Sequence, residues 1–178
     1  QLEILDALSK LQSRLIVSRN NTSFIQKYLQ PITPIKGIYL WGEVGRGKTF
    51  LMDLFYNTLD LKRKRRVHFH RMMNEVHTEL AKISKTKDPM NTLTQKISED
   101  IDVLCFDEFF VEDIGDAMLL ARFMGKLFKL PVSLVATSNS SPDDLYKNGL
   151  HRDRFLPAIQ AINDNCEVYE LNSNQDYR

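Results

Sequence analysis

Very little in this sequence suits an oxidising compartment, a membrane or a polyanionic partner. Only two of its 178 residues are cysteine, Cys105 and Cys166, and neither stands in a CxxC pair. Nothing therefore argues for a disulfide framework or a thiolate metal cluster. Cys105 falls inside an apolar run and reads as a small buried thiol. No apolar run is long enough to cross a bilayer, and no signal peptide is legible at the start. The first residue is Gln1 rather than methionine, which leaves room for an upstream segment. Net charge is +1, so no global field recruits nucleic acid or a membrane surface. Internal repeats and low-complexity tracts are absent too. What remains is an ordinary soluble composition, 43% hydrophobic and 26% charged, in a chain long enough for one domain with a real core. The cytoplasm is the default expectation.

Periodicity predicts alternating helices and strands. Leu2, Leu5, Leu8, Leu11, Leu15 and Ile16 recur at helical spacing, giving an amphipathic helix. It lies in an N-terminal segment, 1–36, expected to pack on a core spanning 37–178. Pro31 and Pro34 break the chain. The apolar run 37–41 (GIYLW), followed by glycines, reads as a buried strand, and 48–59 as a helix. The run 62–66 (KRKRR) reads as a charged connector, 67–70 as a short strand and 72–83 as a helix. Pro89 opens another helix that ends near Asp100. Apolar strands at 101–106 and 131–137 flank a helix at 114–130, and 166–171 alternates like a last strand. Strands separated by helices imply parallel pairing with crossovers. Continuous apolar strands imply a sheet covered on both faces. The expected fold is α/β, a three-layer sandwich with a mainly parallel sheet, whose ligands bind beyond the carboxyl ends of the strands.

Every chemical motif lies at such an end. Gly42-Glu43-Val44-Gly45-Arg46-Gly47-Lys48-Thr49 matches GxxxxGK(S/T) between a strand and a helix, the context that a phosphate-binding P-loop requires. Its glycines let backbone N–H groups face phosphates, and the helix N-terminus adds a favourable dipole. Lys48 reaches the β- and γ-phosphates, and the Thr49 hydroxyl ligates Mg²⁺. Phe50 completes the expected nucleotide-binding stretch. The strand at 101–106 ends in Asp107-Glu108. Asp107 suits Mg²⁺, through water. Glu108 suits a general base that polarises the attacking water, although carboxylates at strand ends are also common caps. Asn139 closes the strand at 131–137. If that strand lies between the other two, Asn139 faces the γ-phosphate; otherwise it is a turn asparagine. Arg152 and Arg154 follow the last of these strands, and either can supply an arginine finger to a neighbour's ATP or form a surface ion pair.

Two further clusters attract attention. His68, His70 and His77 suggest a metal site, but no fourth ligand is evident. The KRKRR run suggests an acidic partner or nucleic acid, with a solvated connector as the plainer reading. Tyr146 and Lys147 stand in a stretch, DDLYKNGL, whose role spacing alone does not give.

The stretches WGEVGRGKTFLMDLFY, RVHFHRMMNEVH, VLCFDEFFVEDIGDAMLL, LVATSNSSPDDLYKNGL and RFLPAI together resemble the Afg-type ATPases of the AAA+ superfamily, which include bacterial cell-division ATPases. The likeness covers most of the chain from Gly37 onward. It implies a P-loop NTPase core with Lys48 as the Walker A lysine, Asp107 and Glu108 as the Walker B pair and Asn139 as sensor 1. Arg152 matches the family's retained arginine best, with Arg154 as the alternate finger. Two departures stand out. Glu43 replaces a usual glycine, a change the loop should survive because Gly45 and Gly47 remain. The family also continues past Asp176-Tyr177-Arg178 into a helical lid with a sensor 2 arginine; neither is found here, so the expectation is a fragment.

The resemblance implies Mg²⁺-dependent ATP hydrolysis coupled to remodelling of a protein partner, namely FtsZ polymers destabilised at the bacterial division ring. It also implies a homo-oligomer when full length with ATP, a cytoplasmic place at the division site, and peripheral membrane association through the division machinery. Nucleic acid is not expected. The alternatives are a nucleic-acid motor or helicase-loader-type AAA+ ATPase, and a nucleotide-dependent binding switch without turnover. Glu108 and Asn139 argue against the switch.

Overall fold

The computed structural model describes residues 2–20, 34–45 and 47–171. Pro31, Arg46 and the residues from 172 onward, on which expectations were placed, lie outside them. In chain order the elements are α1 (Leu2–Asn20), β1 (Gly37–Trp41), α2 (Lys48–Thr58), β2 (Lys64–His68), α3 (Phe69–Lys82), α4 (Pro89–Asp100), β3 (Val103–Asp107), α5 (Ile114–Leu127), β4 (Ser133–Ser138), α6 (Leu156–Asn165) and β5 (Cys166–Glu170), with short 3₁₀ turns at Pro142–Asp144 and Arg152–Arg154. The strands form one sheet in the order β2-β3-β4-β1-β5, and every pairing is parallel.

Alternation along the strands splits the core in two. Ile38, Leu40, Val103, Cys105 and Val135 face α1 and α2, meeting Leu8, Leu11 and Leu15 of the first helix and Met52 and Phe55 of the second. Tyr39, Leu104, Phe106, Leu134 and Ala136 face the opposite layer, where Met72, Leu93, Phe123 and Ile162 pack from α3, α4, α5 and α6. The expected three-layer α/β sandwich is therefore the observed one. Cys105 and Cys166 are both free and buried, and burial raises each thiol's pKa to about 12.

The sequence reading misplaced one element. Residues 64–66 of the KRKRR run are strand, not connector, and the strand ends at His68. β2 is one of the sheet's two edge strands, where charged side chains are favoured because they discourage pairing with other chains. Their stems lie along the protein while the heads find fixed acceptors: Lys64 Nζ donates to the carbonyls of Tyr56 at 2.5 Å and Leu59 at 2.7 Å. The next helix begins at Phe69, whose burial with Met72, Met73 and Val76 sets the helical stripe. His70 thus lies on a helix, not on the strand expected at 67–70.

Asp102, expected inside the strand, sits just before β3 at the sheet's amino end. It is buried between Arg19 Nε at 3.4 Å and Arg63 Nη2 at 3.6 Å. Arg19 also donates to the Pro131 carbonyl, so this ion pair ties α1 to the bottom of the sheet. Burial lowers the Arg19 pKa, opposed by the Asp102 charge. Removing one partner strands the other in a poorly solvated place. Asp102→Ala should therefore cost about 3 kcal/mol in denaturant unfolding, while nucleotide affinity stays unchanged because the motifs lie at the other end. An unaltered midpoint would mean the pair contributes no more than a surface one.

Candidate active site

The carboxyl ends of β1, β4 and β3 are adjacent in the sheet, and each carries one motif. The first follows β1. Gly42, Gly45 and Gly47 have φ of 150°, 82° and 85°, backbone that L side chains rarely adopt. Glu43 is not among the positive-φ residues, so the loop accepts a side chain at that position without backbone strain. Gly47 caps α2 with no side-chain hydrogen bond, and no acidic residue occupies the first turn. The helix therefore presents N–H groups and its dipole to an anion with no carboxylate in its own first turn. Lys48 Nζ donates to the carbonyls of Gly42 at 2.6 Å and Glu43 at 2.7 Å. Val44, Thr49 and Phe50 are exposed at this edge.

The second motif ends β3. Asp107 is buried, and its carboxylate accepts a forked pair from Arg66 of β2, Nε to Oδ2 at 2.6 Å and Nη2 to Oδ1 at 3.3 Å. Arg66 also donates to Asp53 of α2. Burial opposes the charge on Arg66, but the bonds to Asp107 and Asp53 outweigh it and raise its pKa. Glu108 takes a left-handed conformation, φ 55°, uncommon outside glycine and concentrated at functional turns. This turn sends its side chain out to solvent, 81% exposed, with Oε2 3.8 Å from His68 Nδ1. Two neighbouring carboxylates are thus given opposite surroundings: one buried and pinned, one free to meet water.

The third motif ends β4, the strand between β3 and β1. Register pairs Trp41 with Ser138, which brings Asn139, itself exposed, alongside Gly42. The edge is stitched by Gly42 N to the Ser138 carbonyl at 3.2 Å and Phe109 N to the Thr137 carbonyl at 2.7 Å. Glu108 N also reaches Thr137 Oγ1 at 3.3 Å, and Ser138 Oγ donates to the Phe109 carbonyl at 2.7 Å. The loop, Asn139 and Asp107-Glu108 therefore stand side by side on one framework.

Arg152 lies in the 3₁₀ turn at Arg152–Arg154, after β4. Its Nη2 donates to the Asp143 carbonyl at 2.6 Å, and Arg154 is exposed. The nearby DDLYKNGL stretch has a packing explanation. Tyr146 is buried at φ 53°, donates its hydroxyl to the Leu150 carbonyl at 3.0 Å and meets Phe155 edge-on at 5.6 Å. A Cβ at Gly149 would fall 2.1 Å from the Tyr146 ring, so only glycine fits there. Lys147 pairs with Asp144 at 2.7 Å. His77 meets Asp116 of α5 at 3.2 Å, whereas His68 meets Glu108.

The donor set fits Mg²⁺ carried in by a nucleotide. One hydroxyl and one carboxylate are offered, which suits an ion that keeps its waters and takes its other ligands from phosphates. Sequence reasoning missed Arg66, Asp53 and the nearness of His68 to Glu108. A period-2 pattern from 64 to 68 would have put Arg66 and His68 on one face, and Asp53 lies one helical turn past Thr49.

A family model described as AFG1-like ATPase matches residues 1–178. Cell division protein ZapE of Escherichia coli (strain K12) is 55% identical over 146 residues, 82% of this chain and 39% of that protein. Lactation elevated protein 1 homolog B of Danio rerio is 42% identical over 156 residues, 82% of this chain and 31% of that protein. The chain thus spans well under half the length of these curated relatives. Among solved structures, DnaI superposes with a TM-score of 0.58 at 20% identity, covering 84% of this chain and 79% of that one; that likeness concerns the P-loop NTPase fold.

Proposed function

This chain belongs to the AFG1-like ATPase family, and on that premise we propose that it is the nucleotide-binding core of an enzyme that hydrolyses ATP with Mg²⁺ to remodel a protein partner in cell division. The observation that carries this reading is the adjacency of β1, β4 and β3, which sets a phosphate loop, an amide and a carboxylate pair along one edge. The loop N–H groups and Lys48 hold the β- and γ-phosphates; Lys48 exchanges its bonds to the Gly42 and Glu43 carbonyls for phosphate oxygens. Thr49 and Asp107 would hold Mg²⁺, which when bound neutralises charge on the phosphate oxygens. Asn139 orients a water in line with the γ-phosphorus, and Glu108 accepts its proton as the water attacks.

The partner we propose is FtsZ polymer. Support comes from the motif stretches that resemble the cell-division members of the family and from the name of the Escherichia coli relative, a cell division protein. The place of action is the cytoplasmic side of the bacterial division site. Among the described residues no helix is long and apolar enough to cross a membrane, so any membrane association is proposed to run through the division machinery. The test is co-sedimentation of the full-length protein with FtsZ polymers. ATP-loaded protein should pellet with them and reduce bundling; no association in any nucleotide state would remove FtsZ, and turnover stimulated by DNA instead would favour the helicase-loader alternative.

Assembly completes the site. Arg152 acts in trans within a ring-like homo-oligomer of the full-length protein with ATP, leaving the Asp143 carbonyl for a neighbour's γ-phosphate. Such fingers contribute about 10³-fold or more to rate. Arg152→Ala and Lys48→Ala chains should each be nearly inactive alone. Mixed, the first keeps a working loop and the second lends Arg152, so turnover should partly recover. No recovery in mixtures shown to co-assemble would refute the trans role, and a fully active Arg152→Ala protein would shift it to Arg154.

A further inference from the structure

The basic run of β2 reaches the proposed metal site through one residue, and the contact is more specific than an edge-strand charge requires. Arg66 leaves β2 on the face that carries α2, level with Cys105 in the register, and its guanidinium lies between Asp107 and Asp53. Asp107 is nearly enclosed, at 10% side-chain exposure, and Arg66 is at 22%. Asp53, at 48%, is one helical turn past Thr49, so the same helix face carries the Mg²⁺-ligating hydroxyl and the anchor of the arginine. We propose that Arg66 is a positioning residue: it holds the Asp107 carboxylate at the angle the nucleotide-borne Mg²⁺ needs, and Asp53 holds Arg66. This inference rests on the reading of Asp107 as a metal ligand.

The chemistry favours support over competition with the metal. A carboxylate has about four lone-pair sites, and the fork from Arg66 uses one on each oxygen, leaving the others for metal-bound water. Three charges, two negative and one positive, leave the group anionic, so the arginine does not turn the site repulsive to a cation. Groups that hydrogen-bond a ligating carboxylate from behind ordinarily fix its orientation, and their loss costs about 10–100-fold in metal affinity or activity. Lysine cannot replace the fork, because an ammonium is a point charge without fixed planar donors.

The experiment is nucleotide binding by the full-length protein, read with a fluorescent ATP analogue, in EDTA and across a Mg²⁺ titration. Arg66→Lys should raise the Mg²⁺ concentration at half effect by at least about 10-fold, with metal-free affinity unchanged. Asp53→Asn, at a more exposed position, should move the midpoint the same way by a smaller factor. An unchanged or lowered midpoint in both variants overturns the proposal, and so does an equal loss of affinity with and without metal, which marks a purely structural role. Asp107→Asn separates the two readings. If it abolishes the Mg²⁺ effect while the Arg66 and Asp53 variants titrate like the unaltered protein, only the positioning role fails. If Asp107→Asn itself titrates normally, the metal-ligand reading fails with it.

Discussion

Glu108→Gln should bind ATP with Mg²⁺ about as tightly as the unaltered protein and hydrolyse it about 10³-fold more slowly. The two halves of that result have separate causes. Glu108 points to solvent, 81% exposed, and its backbone, rather than its carboxylate, joins the stitching to Thr137. Glutamine keeps the size and the left-handed turn but cannot take a proton from water. Binding therefore survives, because the loop, Lys48 and Asp107 are untouched, and only the proton acceptor is lost. Measuring ATP affinity and phosphate release on the same preparation checks this. A fall in affinity as large as the fall in rate would make Glu108 a structural residue of the turn.

Lys48→Ala should weaken nucleotide affinity by about 10²-fold and abolish measurable turnover. Charge-assisted bonds contribute about 1.5–3 kcal/mol each, and in the proposed mechanism Lys48 makes them to both the β- and γ-phosphates. Its present bonds to the Gly42 and Glu43 carbonyls show the ammonium already over the loop, so little rearrangement precedes the exchange. The check is calorimetric titration with ATP beside phosphate release, on protein whose circular dichroism matches the parent. Parent-like turnover in such a protein would overturn the assignment of this loop as the catalytic one.

Why some features were readable and others were not follows from how each is encoded. The phosphate loop and the strand before Asp107 are local: a glycine spacing and an apolar run, each legible in under ten residues. The sheet follows from them because apolar strands alternating with helical stripes leave few arrangements. Strand order is not local, and the place of β4 between β3 and β1, on which the reading of Asn139 depends, appears only once the chain is folded. Composition misled at 62–66. The lysines and arginines of an edge strand look like a solvated connector until Lys64 is seen bonded to two carbonyls and Arg66 to two carboxylates. The Asp53–Arg66–Asp107 chain joins a helix and two strands, and no single window of sequence contains it. Tyr146 and Gly149 are the reverse case. Their motif was conspicuous in sequence, and folding explains it as packing: a strained tyrosine needs a glycine beneath its ring.

The central claim is that this edge of the sheet hydrolyses ATP rather than only binding it. The most direct measurement is phosphate release from ATP by the full-length protein, with Mg²⁺ and with EDTA, in the presence of FtsZ polymers. The account predicts release that saturates with ATP, requires Mg²⁺ and disappears in Glu108→Gln. A folded protein that binds Mg²⁺–ATP yet releases no phosphate above the EDTA background would contradict it, and would make the site a nucleotide-dependent switch.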